Sequence, residues 1–233
     1  ADLPGADVLL FGGYVEGAGV VQETWVWEDA IQDWTESPAG IAPPARRHFA
    51  MATDPVRDQV LLHGGEGIAG SLYADTWVWE AGTWTELDPD GLVPTIRRGH
   101  AMSFNQARGR MVLFGGHHGV AAGSDTWEWD GDRWIMRSPS DPENDGDPIS
   151  RLYHSMAWDP DREVTLLYGG QADDDQNLML DDLWEWDGGS WALRRLVDPR
   201  GQDLPRGRKN AVLFHDGRRL IVMLGYSDAN LTD

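Results

Sequence analysis

The chain has 233 residues, with 39 acidic and 19 basic side chains, and its formal net charge is −20. This balance argues against nucleic acid or anionic lipid as a partner, and it favours cationic ligands, divalent metals or simply a well-solvated surface. The absence of cysteine excludes disulfides, thiolate metal sites and cysteine nucleophiles. No apolar run approaches the roughly 20 residues of a membrane helix, so we expect a globular chain without membrane insertion.

A short apolar run closed by a glycine pair is the first predicted element, and it recurs along the chain. The pairs follow one another at intervals of 51 to 56 residues, with a degenerate fifth copy that ends at Gly225. Such a regular interval is typical of repeat architectures. The four intact pairs are Gly12 and Gly13, Gly64 and Gly65, Gly115 and Gly116, and Gly169 and Gly170.

Tryptophans follow each glycine pair at the same interval. Each unit has a Trp-x-Trp segment, an acidic residue two positions before it, and a third tryptophan after it. A second shared block, which begins with arginine and ends with methionine, precedes each later glycine pair. Residues repeated in every unit are predicted to form the core. The first tryptophans of the pairs are Trp25, Trp77, Trp127 and Trp184, and the arginines that open the block are Arg46, Arg97 and Arg151.

Each unit resolves into four short strands, named a to d. In the first intact copy they span residues 48–53, 60–63, 75–80 and 83–87. These runs are rich in Val, Thr, Trp and Leu, and Asp, Gly and Pro in the intervening turns favour tight hairpins. Four antiparallel strands that recur at this interval form the blade of a propeller. The sequence therefore predicts an all-β fold, a single β-propeller domain over residues 1–233.

The glycine pair, the acidic-x-Trp-x-Trp segment and the trailing tryptophan together resemble the Kelch repeats of exported bacterial proteins. The resemblance covers nearly the whole chain and implies four-stranded antiparallel blades, with four to five blades represented. It also implies a secreted bacterial protein, located outside the cell or in the periplasm. The predicted units span approximately 1–45 (partial), 46–95, 96–148, 149–204 and 205–233 (partial).

Both ends of the chain carry incomplete units. The first unit begins with strand b at residues 8–13, and the last contributes strand a at 208–214 and strand b at 219–225. We expect the terminal strands to pair and close the ring, because an open end leaves a sheet edge and an apolar face exposed. Two interpretations stay open: a compact ring of four or five blades, and a piece of a longer propeller that oligomerises if its ring is incomplete.

Strand order places the b-to-c and d-to-a connections on one side, the long-loop face, and the short hairpins on the other. Variable loops on a rigid scaffold usually carry binding. The residues after the glycine pairs differ between units, which makes them candidate ligand contacts. The block arginines are expected beside the central channel, where they either bridge blades or bind a carboxylate or sulfate. The candidates are Tyr14, Glu66, His117, His118, Gln171, Arg46, Arg97 and Arg151.

The sequence contains no recognisable catalytic motif, so we predict no catalytic residue, no metal ligand and no cofactor. Binding of calcium or another divalent metal stays an open alternative. The acidic run at 173–175 with Asp181 and Asp182 lacks the spacing of a defined calcium loop. The predicted function is a module that binds an unknown protein, glycan or small molecule on the long-loop face. Two alternatives stay open: a small-molecule enzyme of the sugar-mutarotase or metal-dependent type on that face, and a purely structural module of a larger surface protein.

Overall fold

A computed structural model describes residues 1–3, 7–37, 40–172, 178–194 and 206–227. Within these ranges the chain forms twenty β-strands, a short 3-10 turn and no α-helix. No helix in the described part of the chain is long and apolar enough to cross a membrane. The sheets follow one another along the chain as antiparallel units, which confirms the predicted all-β array of propeller blades.

Blade 1 has three strands, and residues 1–3 lie beside its first strand. Asp2 forms an antiparallel bridge with Val8, and the N–H of Leu9 donates to the carbonyl of Ala1 at 2.7 Å. Residues 1–3 therefore take the place that strand a has in the other blades. The three strands, in sheet order, are β1 (Val8–Val15), β2 (Gly19–Glu28) and β3 (Asp33–Glu36).

Blades 2 and 3 contain all four predicted strands in the predicted order. The short entry strand of blade 2 extends its inner edge beside the glycine pair. Blade 2 consists of β4 (Arg46–Arg47), β5 (Ala50–Asp54), β6 (Gln59–Gly67), β7 (Leu72–Glu80) and β8 (Thr83–Leu87). Blade 3 consists of β9 (Ala101–Asn105), β10 (Arg110–Phe114), β11 (Thr126–Trp129) and β12 (Trp134–Arg137).

Blade 4 repeats this plan, and blade 5 is a hairpin. The first long strands of neighbouring blades, β5 and β9, contact each other, and so do their counterparts farther along the chain, so these strands are innermost. Blade 4 consists of β13 (Arg151–Leu152), β14 (Ser155–Asp159), β15 (Val164–Tyr168), β16 (Gln171–Ala172), β17 (Leu183–Trp186) and β18 (Trp191–Arg194). Blade 5 consists of β19 (Val212–His215) and β20 (Leu220–Met223).

The last hairpin differs from the predicted pairing of the terminal strands. β19 pairs with β20, and its Leu213 is buried against Ala157 and Leu166 of blade 4. Among the described residues no strand pairing joins this hairpin to β1, whose neighbour on that side is the segment 1–3. The reason is that β19 carries the same apolar pattern as the earlier inner strands, so its buried side faces the preceding blade.

Neighbouring blades pack by one repeated rule: the tryptophan face of each blade lies on the aliphatic face of the blade before it. Between blades 2 and 3, Trp127 and Trp129 share a buried cluster with Leu61 and Val78. Burying a large apolar side chain contributes roughly 1.5–3 kcal/mol, so these layers stabilise the array. The third tryptophan also donates its indole N–H to a threonine of the preceding blade: Trp84 to Thr24 (3.1 Å), Trp134 to Thr76 (3.0 Å) and Trp191 to Thr126 (2.9 Å).

Blade 1 departs from the predicted burial of the tryptophans. Trp34 is 40% exposed, and Trp25 and Trp27 are only partly buried. In the described part of the chain no blade covers this face, although Trp25 donates to the Glu23 carboxylate at 3.2 Å just as Trp77 and Trp127 donate to their aspartates. The tryptophans are therefore buried by the neighbouring blade and not by their own.

The glycine pairs form the seam between blades. The N–H of Gly65 donates to the carbonyl of Arg97 in the next blade at 2.8 Å, and Gly116 donates in the same way to Arg151 at 2.9 Å. Gly116 has a φ of +91°, and a Cβ at this position would lie 2.7 Å from the Cβ of His100. Glycine is thus required here both for the backbone conformation and for the close approach of this strand to the segment that enters the same blade.

We expect Gly116→Ala to destabilise the protein more than Gly82→Ala, measured as the free energy of unfolding in denaturant. Gly82 has a similar φ of +81° with no atom within 4 Å of an added Cβ. Both variants lose about 1–2 kcal/mol from the left-handed backbone. Gly116→Ala loses about 1–3 kcal/mol more, because the methyl group would clash with the backbone and Cβ of His100 in the same blade. Equal losses would show that contact with His100 does not constrain this glycine.

Candidate ligand-binding site on the long-loop face

The arginines that open strand a are buried inside the blades. Arg97 donates to both carboxylate oxygens of Asp125, at 3.2 and 2.7 Å, to the carbonyl of Gly115 at 2.8 Å and, through Nε, to the carbonyl of Thr95 at 3.0 Å. The indole N–H of Trp127 donates to the same carboxylate. Equivalent bidentate pairs join Arg46 to Asp75 and Arg151 to Asp182.

This geometry matches the structural alternative for the three arginines. Arg46, Arg97 and Arg151 have no exposed surface, and protein oxygens already accept most of their N–H groups. Bidentate arginine–carboxylate pairs are among the strongest hydrogen-bonded contacts in proteins. We therefore assign these residues to the framework of the blades and assign no ligand contact to them.

The next residue of the same block reaches the long-loop face. Arg47 of blade 2 and Arg98 of blade 3 each donate to one oxygen of Glu66, at 3.0 and 2.7 Å. The guanidinium carbon of Arg47 lies 5.8 Å from the centre of the Tyr14 ring, within cation–π range. We call Tyr14, Arg47, Glu66 and Arg98 the mouth cluster. The structure thus brings two predicted residues, Tyr14 and Glu66, together with two arginines that sequence reasoning missed.

Electrostatics keep Glu66 charged. Burial by itself raises the pKa of the Glu66 carboxyl, but hydrogen bonds from Arg47 and Arg98 outweigh burial and hold that pKa below its ordinary value. His48 Nδ1 lies 3.6 Å from Glu66 Oε2, and burial lowers the pKa of this imidazole. The mouth cluster at neutral pH is therefore one carboxylate between two guanidinium groups.

Predicted residues His117 and His118 point to different surroundings. The backbone N–H of His117 donates to the carbonyl of Arg98 at 2.8 Å, which places His117 next to the mouth cluster. His118 Nε2 lies 3.6 Å from an oxygen of Asp125, inside blade 3. The His117 side chain is half-buried and its Nδ1 accepts the N–H of Gly119 at 3.1 Å, whereas His118 lies beside the Arg97–Asp125 pair.

Predicted residue Gln171 belongs to a second polar group, on the side of blades 4 and 5. Its amide oxygen accepts a hydrogen bond from Lys209 Nζ at 2.8 Å. Lys209 Nζ also lies 5.5 Å from the centre of the Tyr226 ring. Lys209 corresponds in the repeat to Arg47 and Arg98, so the same block position supplies a cation to three blades.

A chain of backbone hydrogen bonds links the residues that follow these cations. Gly99 N–H donates to the His48 carbonyl (2.8 Å), Tyr153 N–H to the Gly99 carbonyl (2.6 Å) and Asn210 N–H to the Tyr153 carbonyl (2.8 Å). All four residues have a positive φ, from 54 to 67°. Non-glycine residues keep this conformation only where the surrounding structure imposes it. The cations of the mouth therefore project from a rigid backbone.

The chain also matches a known family at the level of sequence. The family model of the KLHDC2/KLHL20/DRC7 Kelch-repeats domain matches residues 2–143. The chain belongs to this Kelch-repeat family. The match covers blades 1 to 3, and it agrees with the antiparallel sheets that the structure contains.

Three eukaryotic proteins are among the relatives of this chain. Dynein regulatory complex subunit 7 of Chlamydomonas reinhardtii is 29% identical over 117 residues, which are 48% of this chain and 10% of the relative. An F-box/kelch-repeat protein of Arabidopsis thaliana is 28% identical over 206 residues, 78% of this chain and 41% of the relative. Multiple epidermal growth factor-like domains protein 8 of mouse is 27% identical over 237 residues, 96% of this chain and 8% of the relative.

The Kelch chain therefore spans less than half the length of these relatives. Because the three relatives are eukaryotic, the resemblance to exported bacterial proteins and the location outside the cytoplasm stay predictions.

One group of metal-ligating side chains comes together in the described part of the chain, on the short-hairpin face: Asp159, Asp161 and His215. The Arg162 side chain donates to Asp159 at 2.9 and 2.8 Å. The N–H of Gly217 donates to His215 Nδ1 at 3.1 Å, and His215 Nε2 lies 3.5 Å from an oxygen of Asp161. These contacts account for the cluster without an ion, and we assign no metal to it.

The acidic run of the sequence is divided by the structure. Asp173, Asp174 and Asp175 lie outside the described residues, whereas Asp182 is the partner of the buried Arg151. A calcium site in this run therefore stays a prediction.

We expect Asp125→Asn to destabilise the Kelch blades by about 3 kcal/mol, measured by denaturant unfolding. The substitution leaves the buried Arg97 guanidinium without its counter-charge, and breaking a buried ion pair costs about 3–5 kcal/mol. Asp132→Asn is the matched control, because Asp132 is exposed on a hairpin of the same blade. A loss no larger than that of the control would contradict the structural role of the pair.

Buried histidines between the blades predict a loss of stability in acid. Burial lowers the pKa of His63 and of His154 to about 3, and lowers that of His100 well below its ordinary value. Because the unfolded state has a histidine pKa near 6.5, it binds more protons, and stability falls as pH decreases below about 6.5.

His154 tests this dependence, since it packs against Phe114 at 5.5 Å between ring centres. We expect His154→Phe to flatten the dependence of unfolding free energy on pH between 6 and 5 by up to about 1.4 kcal/mol per pH unit. Denaturant unfolding at several pH values measures it, in a range above the titration of most carboxylates. An unchanged slope would show that this imidazole does not stay neutral in the folded state.

Proposed function

We propose that this chain is a protein-binding module whose partner contacts the long-loop face. The observation that carries the proposal is that every described b-to-c connection presents an exposed large apolar side chain. Val120 is 95% exposed and Ile68 is 68% exposed. Apolar side chains that recur on one face of a scaffold mark an interaction surface. The four residues, which we call the loop tips, are Val15, Ile68, Val120 and Leu178.

The d-to-a connections support the same face. Ile41, Leu92 and Ile149 lie in these connections, and each is more than half exposed. They share this face with the loop tips and the mouth cluster, so the long-loop face offers both exposed apolar side chains and charged hydrogen-bond donors. A protein segment fits this chemistry, because its apolar side chains would contact the exposed apolar residues while its polar groups bind the charged donors.

The names of the relatives agree with a role in assemblies. One is a subunit of the dynein regulatory complex, and another combines an F-box with its kelch repeats. For this chain, the exposed loop tips and the mouth cluster carry the proposal independently of those names.

Peptide selection tests the proposal. We expect a displayed random-peptide library to yield binders to the wild-type chain that lose at least tenfold in affinity for the Ile68→Ser/Val120→Ser variant. The matched control is Val56→Ser, because Val56 is 62% exposed on the a-to-b hairpin of the opposite face. Affinity measured by biolayer interferometry should be unchanged in the control.

The opposite pattern would overturn the proposal. Peptides that tolerate the double loop-tip change but fail on Val56→Ser would place the binding surface on the short-hairpin face. Thermal unfolding of each variant checks that the fold is intact, and the exposure of all three side chains predicts little change in stability.

A further inference from the structure

The arginines of the mouth cluster are only partly used by their carboxylate. Glu66 gives one oxygen to Arg47 and the other to Arg98, so each guanidinium has a single bond to it. Arg97, in contrast, donates hydrogen bonds to both carboxylate oxygens of Asp125 and to two backbone carbonyls. Each of the guanidinium groups of Arg47 and Arg98 therefore lacks the second carboxylate oxygen that a bidentate pair would supply.

One donor of this cluster has no acceptor. Arg47 Nε is shielded from solvent, and none of the described residues accepts its hydrogen. A shielded N–H without an acceptor is unfavourable by about 1–3 kcal/mol, and an added oxygen would remove that cost. The guanidinium groups remain reachable, since the side chains of Arg47 and Arg98 are 36% and 31% exposed.

The repeat shows that the blade does not need an acid at position 66. The equivalent residues of the other blades are Tyr14, His117 and Gln171, so those blades form without a carboxylate at this position. The aspartates that pair with the buried arginines, Asp75, Asp125 and Asp182, recur in every complete blade, as expected of structural residues. Glu66 is therefore specific to the mouth of this chain, where it neutralises one of two adjacent cations.

We infer that Glu66 holds the place of a carboxylate of the bound protein partner, which must displace it from Arg47 and Arg98 in order to bind. This inference rests on the proposed function and names the chemistry of the partner: a segment with an acidic group at its centre and apolar residues around it. Glu66 and the incoming carboxylate compete for the same N–H groups, and their like charges exclude joint occupancy. Segments that are weakly acidic, or whose carboxylate is misplaced, therefore do not displace Glu66 and do not bind.

Glutarate is the probe for this competition, with uncharged glutaramide as its control. We expect Glu66→Gln to bind glutarate about fivefold more tightly than the wild type, the scale of an ion pair at a partly exposed surface. The measurement is an NMR titration that follows the arginine Nε–Hε signals. Glu16→Gln is the matched variant, because Glu16 is exposed on the same face and has no arginine partner in the described residues. It removes the same charge and should leave the affinity unchanged.

Two further variants make the result decisive. Adding Arg47→Gln and Arg98→Gln to Glu66→Gln should abolish the gain, and Glu66→Asp should show a smaller gain if Glu66→Gln fails to fold. The inference is overturned if Glu66→Gln binds no more tightly than Glu16→Gln, or if the gain survives loss of both arginines. Such an outcome leaves the loop-tip result standing, whereas a negative loop-tip result with a positive glutarate result refutes only the protein-binding proposal.

Discussion

A buried arginine at the entrance of each complete blade is the contact on which the remaining structure depends. Its guanidinium joins the start of strand a to the aspartate just before strand c, and so connects the first and third strands of one sheet. Its carbonyl accepts the N–H of the second glycine in the preceding blade. One residue therefore fixes both the blade and the seam. A buried ion of this kind requires full pairing, which explains why its aspartate and its glycines recur together.

The residue that follows this arginine is free to vary because the framework is already satisfied. Arg47, Arg98, Leu152 and Lys209 occupy the position, and each precedes a residue of positive φ in the backbone chain across the blades. A rigid backbone with interchangeable side chains is suited to recognition where the side chain is partly exposed, as for Arg47, Arg98 and Lys209, whereas Leu152 is buried. The same separation holds on the b-to-c loops, where the glycines recur and the residues after them differ.

Much of the fold could be predicted from the sequence because repetition averages out local ambiguity. The glycine pairs and the Trp-x-Trp segments recur often enough to define blades, strands and turns. The partial exposure of Trp34 could not be predicted, since its burial depends on a neighbouring blade. Arg47 and Arg98 were missed for a related reason: they stand beside recurring arginines and were grouped with them. Comparing the second block position between units, as was done for the b-to-c loops, would have identified it as variable.

Net charge and local charge lead to different conclusions about the partner. A chain with a charge of −20 repels an acidic segment at long range, and salt at physiological strength screens this repulsion beyond about 8 Å. Within the mouth cluster, Arg47 and Arg98 lie in direct contact with Glu66. At such short distances the hydrogen bonds of the arginines outweigh the electrostatic field of the chain's net charge. The acidic surface slows encounter with anions in general, while the arginines favour those that fit. Overall acidity thus disfavours polyanions such as nucleic acid and still permits one well-placed carboxylate.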